Sequence, residues 1–110
     1  MIIDRSKYAH YCTLVGAESE GGFRALILLR TTYEHQSLLA DYNIAETASS
    51  IRHLLGFRQA AFYLGTTEPV VLEHVVWETS AHFEAAREHP GFTRHLHHVN
   101  AVASHSLRVL

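Results

Sequence analysis

The chain has 110 residues, the length of one domain, with 47% apolar and 18% charged residues, a balance typical of a folded globular protein and not of a disordered one. Its formal net charge is −2, with acidic and basic residues scattered along the chain, which argues against nucleic acid or an anionic membrane as partner. Cys12 is the single cysteine, so an intrachain disulfide and a cysteine-based zinc cluster are excluded.

The first part of the chain predicts an extension followed by a buried strand. Residues 1–22 form a weakly patterned N-terminal extension, with a short strand expected near residues 11–15, and the pattern closes at a Gly-Gly pair. Residues 23–110 form the domain itself. Five consecutive apolar residues between Arg24 and Arg30 predict a strand that is buried on both faces and therefore central in its sheet.

A long helix is predicted next, over residues 34–55, because this segment contains neither proline nor glycine. Gly56 follows it, as expected for a cap in the left-handed conformation. Helical spacing predicts one broad apolar face, formed by Ile44, Ala45, Ala48, Ile51 and Leu55. A second line of side chains runs beside that face and contains His35, Tyr42, Glu46 and His53.

The second half of the chain predicts two strands, two helices and a final strand. The strands are expected over residues 57–64 and 70–78, separated by a Gly-Thr-Thr-Glu-Pro turn. Thr79 or Ser80 can cap a short helix, which the His-Pro-Gly sequence at 89–91 interrupts before another helix begins. Phe92, Leu96, Val99 and Ala103 line one face of that second helix, with His95 on its flank. Residues 105–110 alternate as a strand does.

Taken in order, these elements predict an α+β fold with a ferredoxin-like β-α-β-β-α-β arrangement and an antiparallel sheet. In that arrangement the first and third strands are the inner ones. Those two strands are also the two most apolar runs of the sequence, and this agreement supports the predicted fold.

A distinctive pattern lies within residues 70–96. An apolar strand ends in Trp-Glu, a Ser or Thr caps a helix with an aromatic residue six positions after the tryptophan, and His-Pro and another aromatic residue follow. The residues at these places are Trp77, Glu78, Phe83, His89, Pro90 and Phe92. This pattern resembles the antibiotic biosynthesis monooxygenase family, and the strand containing Arg24-Ala25-Leu26 is also similar to bacterial aromatic polyketide cyclases of the same fold.

The resemblance covers about residues 23–110 and implies a homodimeric α/β barrel, with a ligand cavity between the sheet and the helices of each subunit. In the quinone-forming members a pocket tryptophan is accompanied by an asparagine four residues earlier, a tyrosine six residues later and an arginine on the following helix. Here the tryptophan is Trp77, whereas Glu73 and Phe83 stand at the asparagine and tyrosine positions and the arginine position falls near Leu96. Arg87 stands where the haem-degrading branch has a histidine.

Two sets of candidate site residues follow from the residues and the resemblance. The proposed catalytic residues are Trp77, Glu73 and His74. The proposed substrate-binding residues are Tyr42, His53, Phe83, His95 and Arg30. Strand alternation places Glu73 and Trp77 on one face of the sheet and His74 on the other. Burial would raise the pKa of Glu73, which suits a carboxylate acting as a base near neutral pH.

Five of the eight candidates also have a purely structural interpretation. Trp77 could be a core residue, and His74 a hydrogen-bonded core or dimer-face histidine. Tyr42 could extend the packing edge of its helix, and His53 could lie on a solvated flank. Glu73 could form an ion pair across strands, with Arg24, Arg30 or Arg58 as partner.

The sequence gives no indication of a metal or an organic cofactor. The histidines at 95, 97 and 98 lack a carboxylate at ligand spacing, and no glycine-rich phosphate loop occurs. No apolar run approaches the ~18 residues of a membrane span, and the N-terminus does not resemble a secretion signal, so we expect a cytoplasmic protein.

The sequence therefore predicts a homodimeric enzyme with a small aromatic substrate. The first hypothesis is a cofactor-free monooxygenase that oxidises an aromatic polyketide or polyphenol, with molecular oxygen as co-substrate, in a hollow that holds a flat ring system. The alternatives are an aromatic polyketide cyclase, which needs no oxygen, and a non-catalytic dimeric module that binds a ligand or supports partner enzymes.

Overall fold

The computed structural model describes residues 3–16 and 22–110 and contains, within those ranges, five strands and three α-helices. The strands are β1 Tyr8–Val15, β2 Phe23–Arg30, β3 Phe57–Gly65, β4 Val70–Trp77 and β5 Ser104–Val109. The helices are α1 Tyr33–Ser49, α2 Ser80–Arg87 and α3 Pro90–Asn100, and a short 3₁₀ turn lies at Ile51–His53.

All five strands form one antiparallel sheet in the order β1-β3-β4-β2-β5. From β2 onward the elements run β-α-β-β-α-β, with the second helical region in two pieces, so the predicted ferredoxin-like fold is confirmed. Strands β2 and β4 are neighbours in the interior of the sheet, as their apolar sequences predicted. This arrangement places the two most apolar strands beneath the helices.

Strand β1 is longer than the short strand predicted in the N-terminal extension. It begins at Tyr8 and pairs with β3, from Tyr8 opposite Gly65 to Val15 opposite Gln59. The extension therefore supplies an edge strand to the sheet, and β3 becomes an interior strand.

Helix α1 ends earlier than predicted, at Ser49 and not at residue 55. The backbone N–H of Ser50 donates to the carbonyl of Glu46, and the chain then tightens into the 3₁₀ turn. The Ser49 hydroxyl also bonds the Glu46 carbonyl, a local interaction that competes with regular helix. Gly56 has φ +89°, so its predicted left-handed conformation is confirmed, but it does not cap α1, because that helix ends at Ser49 with Ser50 as its cap.

The apolar face predicted for α1 is partly wrong. Ala45 is exposed and Leu55 is 81% exposed, because α1 ends before Leu55 and presents a different face to the sheet. The buried residues of α1 are instead Leu39, Ala40, Asn43 and Thr47. Two of these four are polar, so a pattern based on hydropathy alone points to the wrong side of the helix.

The three helices cover one face of the sheet and enclose the core. One apolar cluster joins Ala25, Val75 and Trp77 of the sheet to Phe83 of α2 and Phe92 of α3. A second cluster joins Leu29 and Val71 to Leu39, Ala40 and Val99. None of the helices in the described ranges has the length and apolar composition needed to cross a membrane.

Candidate active site

A cavity lies between the helix-covered face of the sheet and the three helices. Its walls are mostly apolar, and four of the lining residues have large aromatic rings: Phe57, Trp77, Phe83 and Phe92. Four polar side chains also line it, from α1, β4 and α3: Asn43, Thr47, Glu73 and His95. The cavity is narrow, with a volume of about 30 Å³. This is room for about two water molecules. It is therefore smaller than the predicted hollow for a flat ring system.

Trp77 forms one aromatic wall of this cavity and is only 1% exposed. The Phe57 ring meets Trp77 edge-on, with centroids 5.4 Å apart, and the Phe83 ring lies 6.1 Å away. Phe83 reaches this position because Thr79 begins α2 directly after β4: its hydroxyl accepts the backbone N–H of His82 at 3.1 Å. The strand end and the helix start thus bring Trp77 and Phe83 together.

Glu73 lines the same cavity and is partly buried. It lies on β4 opposite Ile27 of β2 and Phe62 of β3, so its strand neighbours are apolar. Burial raises the pKa of Glu73 from its ordinary value of 4.5 to about 7. A carboxyl with this pKa can accept and release a proton near neutral pH.

The alternative interpretation of Glu73 as a cross-strand ion-pair residue is wrong for the described residues. Arg58 pairs with Glu78 at 3.4 Å and Arg30 pairs with Glu68 at 3.7 Å. Arg24 lies opposite Val76 on the face of the sheet that the helices do not cover. No described cation within 4.0 Å compensates the charge of Glu73, which agrees with burial as the cause of its raised pKa.

His95 forms part of the cavity wall on α3 and is 6% exposed. Its Nδ1 atom is buried and has no hydrogen-bond partner among the described residues. Burial lowers the pKa of His95 and favours the neutral ring, while the nearby Glu46 partly opposes this effect. The sequence placed His95 on the flank of its helix, whereas it belongs to the buried stripe with Phe92 and Val99.

Tyr42 lies behind His95, at the contact between α1 and α3. The two rings stack with centroids 5.6 Å apart and 18° between their planes. The Tyr42 hydroxyl shares a hydrogen bond of 2.5 Å with Nδ1 of His98, one turn further along α3. Burial raises the pKa of Tyr42, and the negative charge of Glu46 acts in the same direction. Tyr42 does not line the cavity itself but contacts a residue that does.

Three other predicted site residues are not brought to the cavity. His74 is buried on the opposite face of the sheet, between Leu26 of β2 and Ala61 of β3, as strand alternation requires. Burial lowers the pKa of His74, and Arg24 contributes in the same direction. Arg30 lies at the exposed end of β2 in its pair with Glu68, and His53 is exposed in the 3₁₀ turn. These three cannot share one ligand with Glu73 and Trp77.

Sequence reasoning missed Asn43 and Thr47 as cavity residues. They lie four positions apart on α1, and both are almost fully buried. The Asn43 amide donates to the carbonyl of Leu39 at 3.0 Å. Their spacing could have indicated that Asn43 and Thr47 lie together, since residues four positions apart share one face of a helix. The apolar residues beside them, however, suggested that a different face of α1 is buried.

No group of three or more histidine, cysteine, aspartate or glutamate side chains is arranged to hold a metal ion within residues 3–16 and 22–110. The polar groups of the cavity are one carboxyl, one imidazole, one amide and one hydroxyl. Such a set can exchange protons and bind hydroxyl or carbonyl oxygens of an organic ligand.

Comparison with known proteins gives likeness in structure only. No protein-family model matches the chain, and no curated protein matches its sequence. A solved anthrone oxidase-like protein has a TM-score of 0.73 and 18% identity over 93% of this chain and 51% of its own. A major regulator of staphylococcal pathogenesis has a TM-score of 0.79 and 18% identity over 94% of this chain and 65% of its own.

A protein described as an antibiotic biosynthesis monooxygenase has a TM-score of 0.69 and 11% identity over 80% of this chain and 95% of its own. The chain thus spans about the full length of this protein, but only 51% and 65% of the length of the previous two. Identities this low show a common fold and do not show a common reaction. This chain has the fold of the antibiotic biosynthesis monooxygenase proteins.

Proposed function

We propose that the protein is a cofactor-independent monooxygenase that oxidises an electron-rich polycyclic aromatic compound, of the aromatic polyketide or polyphenol type, with molecular oxygen as co-substrate. One observation carries the proposal. Glu73, without a compensating cation among the described residues and with a pKa of about 7, lies in an apolar cavity walled by Trp77. A buried carboxyl without a partner costs stability, and catalytic sites are where such costs are commonly found.

The chemistry needs a base, an acidic substrate and oxygen. For an anthrone, Glu73 removes a proton from the central CH₂ group and leaves a delocalised carbanion. This anion gives one electron to dioxygen, and the resulting radical and superoxide combine to form a C–O bond. Protonation yields a hydroperoxide, whose O–O bond then breaks as the second hydrogen of that carbon leaves as a proton. The products are one anthraquinone and one water, so both oxygen atoms and all electrons are accounted for.

The surrounding residues support these steps. Trp77, Phe57 and Phe83 offer flat apolar surfaces to a ring system. Their exclusion of water prolongs the life of the anion and strengthens its interactions with polar groups. His95, Asn43 and Thr47 are positioned on the helix side to bind oxygens of the substrate, on which negative charge develops.

Binding of a ring system requires the cavity to widen. Pockets for ligands of that size measure about 300–1,000 Å³, far more than the space now open. Helix α3 contributes Phe92, His95, Leu96 and Val99 to the wall, and Leu96 among them is only partly buried. We therefore expect α3 to move outward from the sheet when substrate binds.

Oxygen uptake with 1,8-dihydroxyanthrone tests the function, and the structural likeness to an anthrone oxidase-like protein motivates this substrate. We expect uptake above the uncatalysed rate and equimolar anthraquinone at pH 7. Glu73→Gln should lower kcat at least about 100-fold, because general-base catalysis contributes about 10²–10⁴. Glu84→Gln is the matched control, since Glu84 is exposed on α2 and, among the described residues, pairs with Arg87 alone. Equal activity of wild type and Glu73→Gln would contradict the proposal.

Two alternatives are separated by comparing turnover of an anthrone and of an uncyclised polyketide chain with and without oxygen. A polyketide cyclase would use Glu73 for aldol chemistry and work equally well without oxygen. A non-catalytic module would bind the aromatic compound without turnover, and one structural neighbour is a regulator of staphylococcal pathogenesis. Turnover under strictly anaerobic conditions would favour the first alternative, and tight binding without turnover the second.

The proposal includes a homodimer in the cytoplasm. The face of the sheet away from the helices carries Leu26 and Leu28, both only partly buried, and an apolar patch of this kind marks a contact surface. Sedimentation of the wild-type protein is expected to give twice the chain mass, and Leu28→Glu to shift it toward the monomer. A wild-type protein that sediments as a monomer at high concentration would contradict the dimer.

A further inference from the structure

The wall of the cavity on α3 contains an unsatisfied polar atom. His95 Nδ1 is buried and has no hydrogen-bond partner among the described residues, although the side chain lines the cavity. A buried nitrogen without a hydrogen-bond partner lowers the stability of the folded protein. Because the His95 side chain lines the cavity, a molecule bound there is the candidate partner for this nitrogen.

Two residues outside the cavity fix the orientation of this ring. Tyr42 stacks on His95 with 18° between the planes, and this contact holds the plane of the imidazole ring. The Tyr42 hydroxyl is held in turn by His98 Nδ1 at 2.5 Å. Because His98 lies on the same helix as His95, the three side chains form one unit between α1 and α3.

We propose that His95 binds an oxygen atom of the ligand, and that Tyr42 and His98 are positioning residues that hold its ring for this contact. The proposal rests on the proposed function and adds the chemical class of the ligand. Glu73 lies on the sheet and His95 on the helix side, so the two groups face the cavity from different walls. The preferred ligand therefore carries an oxygen at the end of its ring system away from the atom that Glu73 deprotonates.

Equilibrium dialysis with two small aromatic probes tests this inference. Naphthalene has no oxygen, and 1,5-dihydroxynaphthalene has a hydroxyl at each end. His95→Phe keeps an aromatic ring against Tyr42 but removes both nitrogens. We expect this variant to bind 1,5-dihydroxynaphthalene about tenfold more weakly, the effect of one buried hydrogen bond, and naphthalene with less than a twofold change. His95→Gln, which restores a polar group, should recover part of the loss.

The positioning role has its own readout. Tyr42→Leu removes the stacked ring and is expected to weaken binding of the dihydroxy probe about threefold to tenfold, while naphthalene binding stays the same. In the His95→Phe background the same substitution should add no further loss, because the oxygen contact is already absent. Tyr42→Phe, which loses only the bond to His98, should give a smaller loss.

The outcomes separate the inference from the function that it builds on. If His95→Phe weakens both probes equally, or neither, His95 is not the oxygen partner and the inference fails while the cavity remains a ligand site. Additive losses for Tyr42→Leu and His95→Phe would overturn the positioning role. If the wild type binds neither probe, both the proposed function and the inference are overturned. Circular dichroism and a thermal melt establish that each variant is folded.

Discussion

The clearest energetic consequence of the structure concerns Glu73, whose pKa burial raises from 4.5 to about 7. A group with a higher pKa in the folded than in the unfolded state binds its proton more tightly when folded. Proton binding by Glu73 therefore stabilises the folded protein. This stabilisation is fully present below about pH 4.5 and is lost as the pH rises to 7. Above pH 7 the loss is complete and amounts to about 3 kcal/mol.

Glu73→Gln removes this loss, because glutamine has nearly the same shape and stays neutral. We expect the variant to exceed the wild type in free energy of unfolding by about 3 kcal/mol at pH 8 and by under about 1 kcal/mol at pH 5. Urea unfolding followed by circular dichroism at several pH values between 5 and 9 measures this difference. The other titrating groups are common to both proteins and cancel in the difference.

Glu78→Gln is the control for this experiment. Glu78 is half-exposed and pairs with Arg58, so its neutralisation should lower stability slightly, by under about 1 kcal/mol at pH 8. The two substitutions are thus expected to act in opposite directions. A Glu73→Gln protein no more stable than wild type at pH 8, or a difference that does not change with pH, would refute the description of Glu73 as a buried carboxyl without a partner.

Three further predictions concern activity and local structure. The kcat/KM for an anthrone should rise with pH through a midpoint near 7, where Glu73 ionises, and a profile flat from pH 5 to 9 would argue against Glu73 as the base. Thr79→Ala removes the cap of α2 and should lower the free energy of unfolding by about 0.5–2 kcal/mol in urea titrations, with Thr67→Ala nearly neutral. Gly56→Ala places a side chain at φ +89° against His82 and should lower the free energy of unfolding by at least about 1–2 kcal/mol. This loss should be smaller when His82 is also replaced by alanine.

The sequence predicted the fold well, because the strands of this protein follow simple patterns. The apolar runs of β2 and β4 identified two of the three interior strands, and the threonine at 79 and His-Pro-Gly at 89–91 located the helix ends in the second half. These signals are local and depend on backbone conformation. Strand alternation also assigned Glu73 and Trp77 to one face and His74 to the other, as the structure has them.

The candidate site was predicted less completely because it depends on packing between distant elements. The buried face of α1 contains Asn43 and Thr47, which hydropathy assigns to the surface. Whether Glu73 forms an ion pair depends on which face of the sheet each arginine occupies. It also depends on other carboxylates that bind the same arginine, as Glu78 binds Arg58. No pattern in the sequence determines either of these contacts. The contact of Tyr42 with His95 joins residues of two helices far apart in the chain, so their spacing gave no indication of it.

A crystal structure of the protein with 1,8-dihydroxyanthraquinone bound tests the central claim most directly, since this compound is the product type of the proposed reaction. We predict that its rings lie against Trp77, with one oxygen within hydrogen-bond distance of the Glu73 carboxyl and α3 displaced outward. A ligand bound elsewhere, with the cavity still closed around Trp77 and Glu73, would contradict the account.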